Sequence, residues 1–215
     1  MKKAIIFDLD GTLLDTIYDI HQAVNFGLQA YGYEVVSLNH VRQSVGSGAM
    51  QMIQKCAPKA SQIHVKTIHD TYQAYYDANH KDLTVVYEGI TQLLQTLRVK
   101  FKLAVVSNKY HHLVQSLTDH YFKDTFDIVL GMTDMYPIKP APDMILHVCN
   151  QLNITTQDVL YIGDSEPDIL VAKTLNLDHI AVSYGYRTQE QLHLLDPMYL
   201  VKDVKTLQNV MTALL

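Results

Sequence analysis

The chain has 215 residues, 48% hydrophobic and 18% charged, which is enough apolar material for one large domain, or a domain with another inserted, and excludes a disordered chain. A net charge of -5, a pI near 6.1 and no run of basic residues exclude the electrostatic footprint of a nucleic-acid or anionic-membrane surface. No signal-type apolar segment precedes Asp8, no stretch is long enough to span a bilayer, and Cys56 and Cys149 lack CxxC spacing. A cytoplasmic protein with two reduced, buried thiols is expected, with neither a disulfide framework nor a zinc site.

Ala4 to Leu9 reads as a strand whose end carries Asp8 and Asp10. Residues i and i+2 of a strand share a face, so the two carboxylates can converge on one point as Gly11 permits a turn. One reading is a hard divalent cation with nucleophilic or acid/base chemistry. The other is a solvated turn whose aspartates bond their own backbone. Ile17, Ile20, Val24, Gly27, Leu28 and Tyr31 then recur at helical spacing, which continues to about residue 79 with no strand-like run. This predicts a helical domain over 15–81, inserted between 1–14 and 82–215. Six of the fourteen tyrosines fall within it, and packing of a small bundle accounts for them more simply than a ligand lining.

From about residue 100, β-branched runs alternate with helical patterns. Lys102 to Ser107, Phe126 to Leu130, Val159 to Gly163 and His179 to Ser183 read as strands, with helices near 110–120, 141–152 and 167–176. The fold class is therefore α/β, a Rossmann-like parallel-sheet core with an inserted α-helical domain.

Open parallel sheets bind ligands beyond the carboxyl ends of their strands, and four such ends carry polar clusters. They are Asp8 with Asp10, Ser107-Asn108-Lys109, the loop with Lys139-Pro140, and Gly163-Asp164-Ser165-Glu166-Pro167-Asp168. Each has a plainer reading: Ser107 or Asn108 could cap a helix, Lys139 could be a solvated loop residue, and Ser165 with Asp168 resembles a capping box. Together they supply what phosphoryl transfer demands: carboxylates for a cation, a nucleophile, a hydroxyl, an ammonium and an acid/base.

The combination resembles the haloacid dehalogenase-like hydrolase superfamily, whose members carry a DxDGT block, a hydroxyl residue ending the second motif strand, a lysine, and a GDxxxD block, in that order. The match extends over nearly the whole chain, including the helical cap which that family places after the first block. The resemblance implies that Asp8 is the nucleophile forming an aspartyl-phosphate. It makes Asp10 the acid that protonates the leaving oxygen and then the base that activates water, and Thr12 a support for the loop. Asp8, the Asp10 carbonyl and Asp164 would ligate Mg²⁺, with Asp168 behind them, and the all-oxygen set suits that ion. Ser107 and the backbone around Asn108 would grip the phosphate, and Lys139, as a further catalytic residue that also binds the phosphate, would neutralise charge developing on the nucleophile and the transferred group. Lys109 is left between facing solvent and starting the next helix.

Specificity is expected in the cap loop Gly46-Ser47-Gly48, which fails as a dinucleotide fingerprint and could also be a plain helix connection. Within the superfamily this loop and Ser183 to Arg187 look most like phosphoglycolate phosphatases and their near relatives, including pyrophosphatase-type members. Sugar-phosphate mutases typically place a basic residue in the cap loop, whereas the nearest here is Arg42. The expectation is a Mg²⁺-dependent phosphatase of a small phosphorylated metabolite, monomeric or homodimeric, without nucleic-acid or membrane partners. The alternatives are a pyrophosphatase, a phosphotransferase or mutase, and a low-turnover phospho-ligand-binding regulator.

Overall fold

The computed structural model describes residues 2–215. Six parallel strands form the central sheet: β1 (Ala4–Phe7), β4 (Lys102–Tyr110), β5 (Ile128–Met132), β6 (Val159–Gly163), β7 (Asp178–Val182) and β8 (Tyr199–Val201). Their order is β5-β4-β1-β6-β7-β8, with β1 hydrogen-bonded to β4 on one side and β6 on the other. The chain therefore reverses its winding at β1, the place where an open sheet leaves a crevice at its carboxyl edge.

The buried strands are apolar on both faces, and alternate side chains serve two cores. Ile5, Phe7, Leu103, Val105, Leu160 and Ile162 pack beneath helices α5 (Ile90–Leu97), α6 (His111–Tyr121) and α10 (Val204–Leu214). Ile6, Ala104, Val106, Val159 and Tyr161 meet α7 (Asp143–Gln151) and α8 (Glu166–Thr174) on the other face. Each such aliphatic side chain contributes roughly 1.5–3 kcal/mol on burial, so the two-sided core dominates the stability of the sheet.

Four helices form the insertion that follows β1: α1 (Ile17–Ala30), α2 (Leu38–Ser44), α3 (Ala49–Cys56) and α4 (Gln62–Asn79). Ser37 and Ser61 cap α2 and α4 through their side chains, as their positions before helical runs favour. Ile17, Ile20, Val24 and Leu28 of α1 pack with Val41, Ile53, Ile68, Tyr72 and Tyr76 in one cluster, which also takes in Leu113 and Tyr186 from the sheet side. The bundle thus seats on the carboxyl edge of the sheet.

Two chain crossings join bundle and sheet. They pair as an antiparallel ribbon of β2 (Leu14–Asp15) and β3 (Val85–Val86). Buried Asp19, in the first turn of α1, accepts from the Leu83 amide and the Thr84 hydroxyl and so fastens the returning crossing to the outgoing one.

The short elements β2, β3 and β8, and helices α5, α9 (Gln189–His193) and α10, are absent from the sequence-based reading, while β5 begins two residues later than expected and β4 runs three residues past Ser107. No helix among the described residues is long and apolar enough to cross a membrane. Both cysteines are buried and free.

Candidate active site

Asp8 follows β1, its amide donating to the Ile162 carbonyl, so the nucleophile candidate is fixed by the backbone of the sheet itself. Lys139 comes from the loop after β5, and its ammonium is only 2% exposed. It donates to Asp8 Oδ1 at 2.8 Å, Asp168 Oδ1 at 2.7 Å, the Val106 carbonyl at 2.8 Å and Tyr161 Oη at 3.0 Å. Burial disfavours the charge on Lys139, but Asp168 and Asp8 outweigh it and hold the ammonium well above its ordinary pKa.

Asp164 and Asp168 flank the N-terminus of α8. The capping box read from Ser165 and Asp168 is present: the Ser165 amide and hydroxyl both donate to Asp168 Oδ2, at 3.1 and 2.5 Å. Its other oxygen is taken by Lys139 and Tyr161, so Asp168 has no oxygen left for an ion. Asp164 accepts the Tyr186 amide on Oδ2 at 2.7 Å and keeps Oδ1 free of protein donors. Carboxylate oxygens of Asp8, Asp164 and Asp168 all lie within 4.8 Å of one another, and with Asp168 committed to protein donors, Asp8 and Asp164 are the pair whose free oxygens could hold a divalent cation.

Burial raises the Asp8 carboxyl to about 7, with Asp168 and Asp10 adding to the shift and Lys139 opposing it. Burial likewise raises Asp164 well above the carboxylate range, and the charges of Asp8 and Asp168 add to it. Two ionised carboxylates in a low-dielectric crevice repel, and a cation between them is the direct remedy.

Asp10 faces the bundle. Thr16 Oγ1, just ahead of α1, donates to Asp10 Oδ1 at 2.6 Å, and both carboxylate oxygens lie 2.9 Å from Lys109 Nζ. Tyr186 completes the chain: its hydroxyl accepts the Thr16 amide at 2.9 Å and bonds Thr16 Oγ1, while its own amide holds Asp164.

Lys109 neither faces solvent nor starts a helix. It lies inside β4, whose pairing with β5 shifts register between Val106 and Tyr110, and the shift lets residues 107–109 line the crevice. The Lys109 side chain is 6% exposed, and its ammonium sits 4.8 Å from the centroid of the Tyr76 ring.

Ser107 is buried in the crevice, its hydroxyl accepting the Lys109 amide at 3.3 Å. Asn108 is a strap. Its Nδ2 donates to the carbonyls of Gly46 and Lys139, and its Oδ1 accepts the Lys139 amide, so its side chain is committed and only its backbone remains for a ligand. Neither residue caps α6, whose first flanking residue is Tyr110. The Thr12 hydroxyl is buried without a hydrogen-bond partner, so the loop after Asp10 is held by backbone bonds to Leu9 and by Tyr184 Oη on the Thr12 carbonyl.

The crevice encloses a cavity of about 60 Å³ between sheet and bundle. Gly46 and Gly48 line it, with φ of +122° and +86° that only glycine adopts at low cost; Ser47 between them is not part of the lining. Arg187, beyond β7, supplies the basic contact that the loop lacks. Its Nε pairs with Glu166, and its terminal nitrogens donate to the carbonyls of Arg42 and Val45 at 3.0 and 2.7 Å. Lys109, Thr16, Tyr186 and Arg187 are the residues of the site to which the sequence reading assigned no settled role. Lys109 carried a signal there as the residue two beyond the strand-end serine, Tyr186 and Arg187 only as part of the stretch Ser183 to Arg187, and Thr16 none.

Residues 5–182 match the family model described as haloacid dehalogenase-like hydrolase. The chain belongs to that family. It is 33% identical to a phosphoglycolate phosphatase of Psychrobacter arcticus, over 96% of this chain and 94% of the relative. A phosphoglycolate phosphatase of Vibrio cholerae is 30% identical over 97% and 96%. A crystal structure from Lactobacillus delbrueckii subsp. bulgaricus superposes with a TM-score of 0.92 at 31% identity, covering 98% of each chain. A predicted phosphoglycolate phosphatase from Haemophilus somnus superposes at 0.90, with 25% identity over 98% of each. The parallel sheet with its helical insertion is therefore the fold of solved relatives along nearly its full length.

Proposed function

We propose that this phosphatase of the haloacid dehalogenase-like family hydrolyses a small phosphomonoester of the 2-phosphoglycolate type, with residues 15–81 as its cap. The observation that carries the reading is the Lys139 ammonium, buried between Asp8 and Asp168 at the mouth of the sheet. A carboxylate approaching a phosphate dianion meets like-charge repulsion, and a fixed cation beside the attacking oxygen lowers it as the bond forms. That use explains why a lysine with four acceptors is buried at a crevice.

In this reading Asp8 attacks phosphorus. The bond to the ester oxygen breaks, and Asp10 delivers a proton to the departing alkoxide. Asp10, now a carboxylate, takes a proton from water as the water oxygen attacks the phosphorus of the Asp8 phosphoenzyme, which releases inorganic phosphate and restores both aspartates. Ser107 and the backbone at Asn108 bind the phosphoryl oxygens. Thr16 and Lys109 hold Asp10 at the cap boundary, on the side where a leaving group would lie.

The donor set fits Mg²⁺: Asp8 and Asp164 each keep an oxygen clear of lysine and backbone donors, and the Asp10 carbonyl completes a hard, all-oxygen set. When bound, the ion would offset the negative charge shared by the carboxylates and the phosphate. Asp168, its oxygens spent, positions Lys139 and the α8 N-terminus.

The test is phosphate release by wild type and Asp8→Asn, with and without Mg²⁺, on 2-phosphoglycolate, pyrophosphate, hexose phosphates, nucleotides and an aryl phosphate. Release from a small monoester that vanishes in the variant and without Mg²⁺ is the expected result. A preference for pyrophosphate, isomer formation without phosphate, or no turnover by folded protein would favour the pyrophosphatase, mutase and regulator readings in turn.

A further inference from the structure

The cavity is lined by three cations: Lys139, Arg187 and Lys109. Two of them are already committed to the protein. Lys139 has four acceptors within 3.0 Å for its three protons. Every guanidinium nitrogen of Arg187 is engaged, by Glu166 or by the carbonyls of Arg42 and Val45. Lys109 differs. Its ammonium carries three donors, and its hydrogen-bond acceptors are the two oxygens of one carboxylate, Asp10, with the Tyr76 ring face at 4.8 Å. A carboxylate therefore already sits well against it, in a largely buried place where a charge-assisted hydrogen bond is strong.

Its position bears on the substrate. The Lys109 amide donates to Ser107 Oγ, so the chain passes directly from the hydroxyl that would bind phosphate to this ammonium. The bundle side of the wall is largely apolar and carries no charge, with Ile20, Met52, Tyr72 and Leu113 beside the neutral amide of Gln73. An anionic tail entering a cavity of about 60 Å³ needs a cation if its charge is not to be left buried and unpaired, and Lys109 is the cation joined directly to Ser107.

We propose that Lys109 is a specificity-determining residue that receives the carboxylate of the substrate, so that the enzyme selects short phosphomonoesters bearing a second, carboxylate anion close to the ester oxygen. This rests on the phosphomonoesterase reading above and narrows its substrate class. The neutral wall confers no such selection on an uncharged tail of equal size, and the specificity comes from the cost of leaving an ammonium or a carboxylate without its partner.

The experiment compares kcat/KM for 2-phosphoglycolate with that for its isosteric carboxamide and for ethyl phosphate, in the full chain with Mg²⁺. Wild type is expected to prefer the carboxylate by roughly tenfold or more. Lys109→Met should collapse that ratio, chiefly through KM for 2-phosphoglycolate, and Lys109→Arg should keep most of it. Binding of 2-phosphoglycolate and the carboxamide to Asp8→Asn and to Asp8→Asn/Lys109→Met, followed by calorimetry, should show the same loss of discrimination without turnover. Wild type that hydrolyses all three esters equally would overturn the inference and leave the phosphatase reading intact, as would a Lys109→Met variant that slows all three by one factor. Wild type that releases phosphate from none would sink the reading itself. If Lys109→Met fails to fold, the wild-type preference for acid over amide and the Lys109→Arg ratio still decide.

Discussion

Lys139 Nζ and Asp168 Oδ1 lie 2.7 Å apart, with 2% and 1% of their side chains exposed. Neither charge could be buried there without the other, and Asp8 shares the same ammonium. Lys139→Met is expected to leave two carboxylates facing each other in the core of the crevice, at a cost of about 3–5 kcal/mol. Urea unfolding should show that loss, and phosphate release should disappear. Asp8→Asn should lose turnover just as fully while keeping the fold, because Lys139 retains Asp168, Tyr161 and the Val106 carbonyl. A Lys139→Met variant that unfolds at the wild-type urea concentration would contradict the balance of charge described for the site.

The raised carboxyls set a pH dependence with a definite sign. Asp8 is lifted from 3.8 to about 7 by burial, with the neighbouring carboxylates adding, and Asp164 moves in the same direction. The folded, metal-free protein thus binds protons that the unfolded chain has released. That contribution is fully present below about pH 4 and is lost as pH rises through about 7. The Mg²⁺-free protein should therefore lose melting temperature between pH 6 and pH 8. Added Mg²⁺ binds the ionised cluster and should raise the melting temperature more at pH 8 than at pH 6. An equal Mg²⁺ effect at both pH values would mean that the ion does not bind these carboxylates.

What the sequence revealed follows from the range of each signal. Asp8, Ser107, Lys139 and Asp164 are legible because each closes or follows an apolar run, and the parallel sheet brings the ends of such runs to one edge. The capping function of Asp168 is legible from Ser165 three residues before it. The ribbon of Leu14–Asp15 with Val85–Val86 is not, since two-residue strands carry no periodicity. Lys109 was obscured for another reason: β4 runs on through a register shift, and only that irregularity turns it inward onto Asp10. Asn108 reads as a cap or a phosphate ligand in one dimension, but its amide is spent on Gly46 and Lys139, 62 and 31 residues away. Tertiary pairing over such distances leaves no trace in local composition.

Thr16 gives a prediction about acid catalysis. Its hydroxyl orients Asp10, while its amide is held independently by Tyr186. Thr16→Val preserves shape and the amide bond and removes the hydroxyl's two hydrogen bonds, to Asp10 and to Tyr186 Oη, a stability loss of about 1 kcal/mol each. If Asp10 protonates the leaving oxygen, its misplacement should matter most for alkyl esters, whose alkoxides leave poorly. The variant should lose roughly tenfold or more in kcat on 2-phosphoglycolate and much less on an aryl phosphate with an acidic phenol. Equal losses on both would assign Thr16 to the fold rather than to Asp10.

Arg187 ties the cap loop to the sheet, and the two ends of the tie differ in exposure. Glu166 is 40% exposed, so its pair with Arg187 is screened and contributes little on its own. The carbonyls of Arg42 and Val45 accept from the terminal nitrogens of an arginine that is itself 5% exposed. Arg187→Met leaves those two acceptors without partners at the cavity wall, at about 1–3 kcal/mol each unless water enters to replace the guanidinium. Hydration is the cheaper outcome and requires the loop to lift. Amide hydrogen exchange should therefore accelerate across residues 38–48 and stay unchanged in β1, β4 and β6, with KM rising more than kcat falls. Glu166→Gln, which weakens the pair but keeps a hydrogen-bond acceptor for Nε, should leave exchange in the loop near wild type. If the glutamine variant loosens the loop as much as Arg187→Met does, the ion pair and not the two carbonyls is what seats the cap.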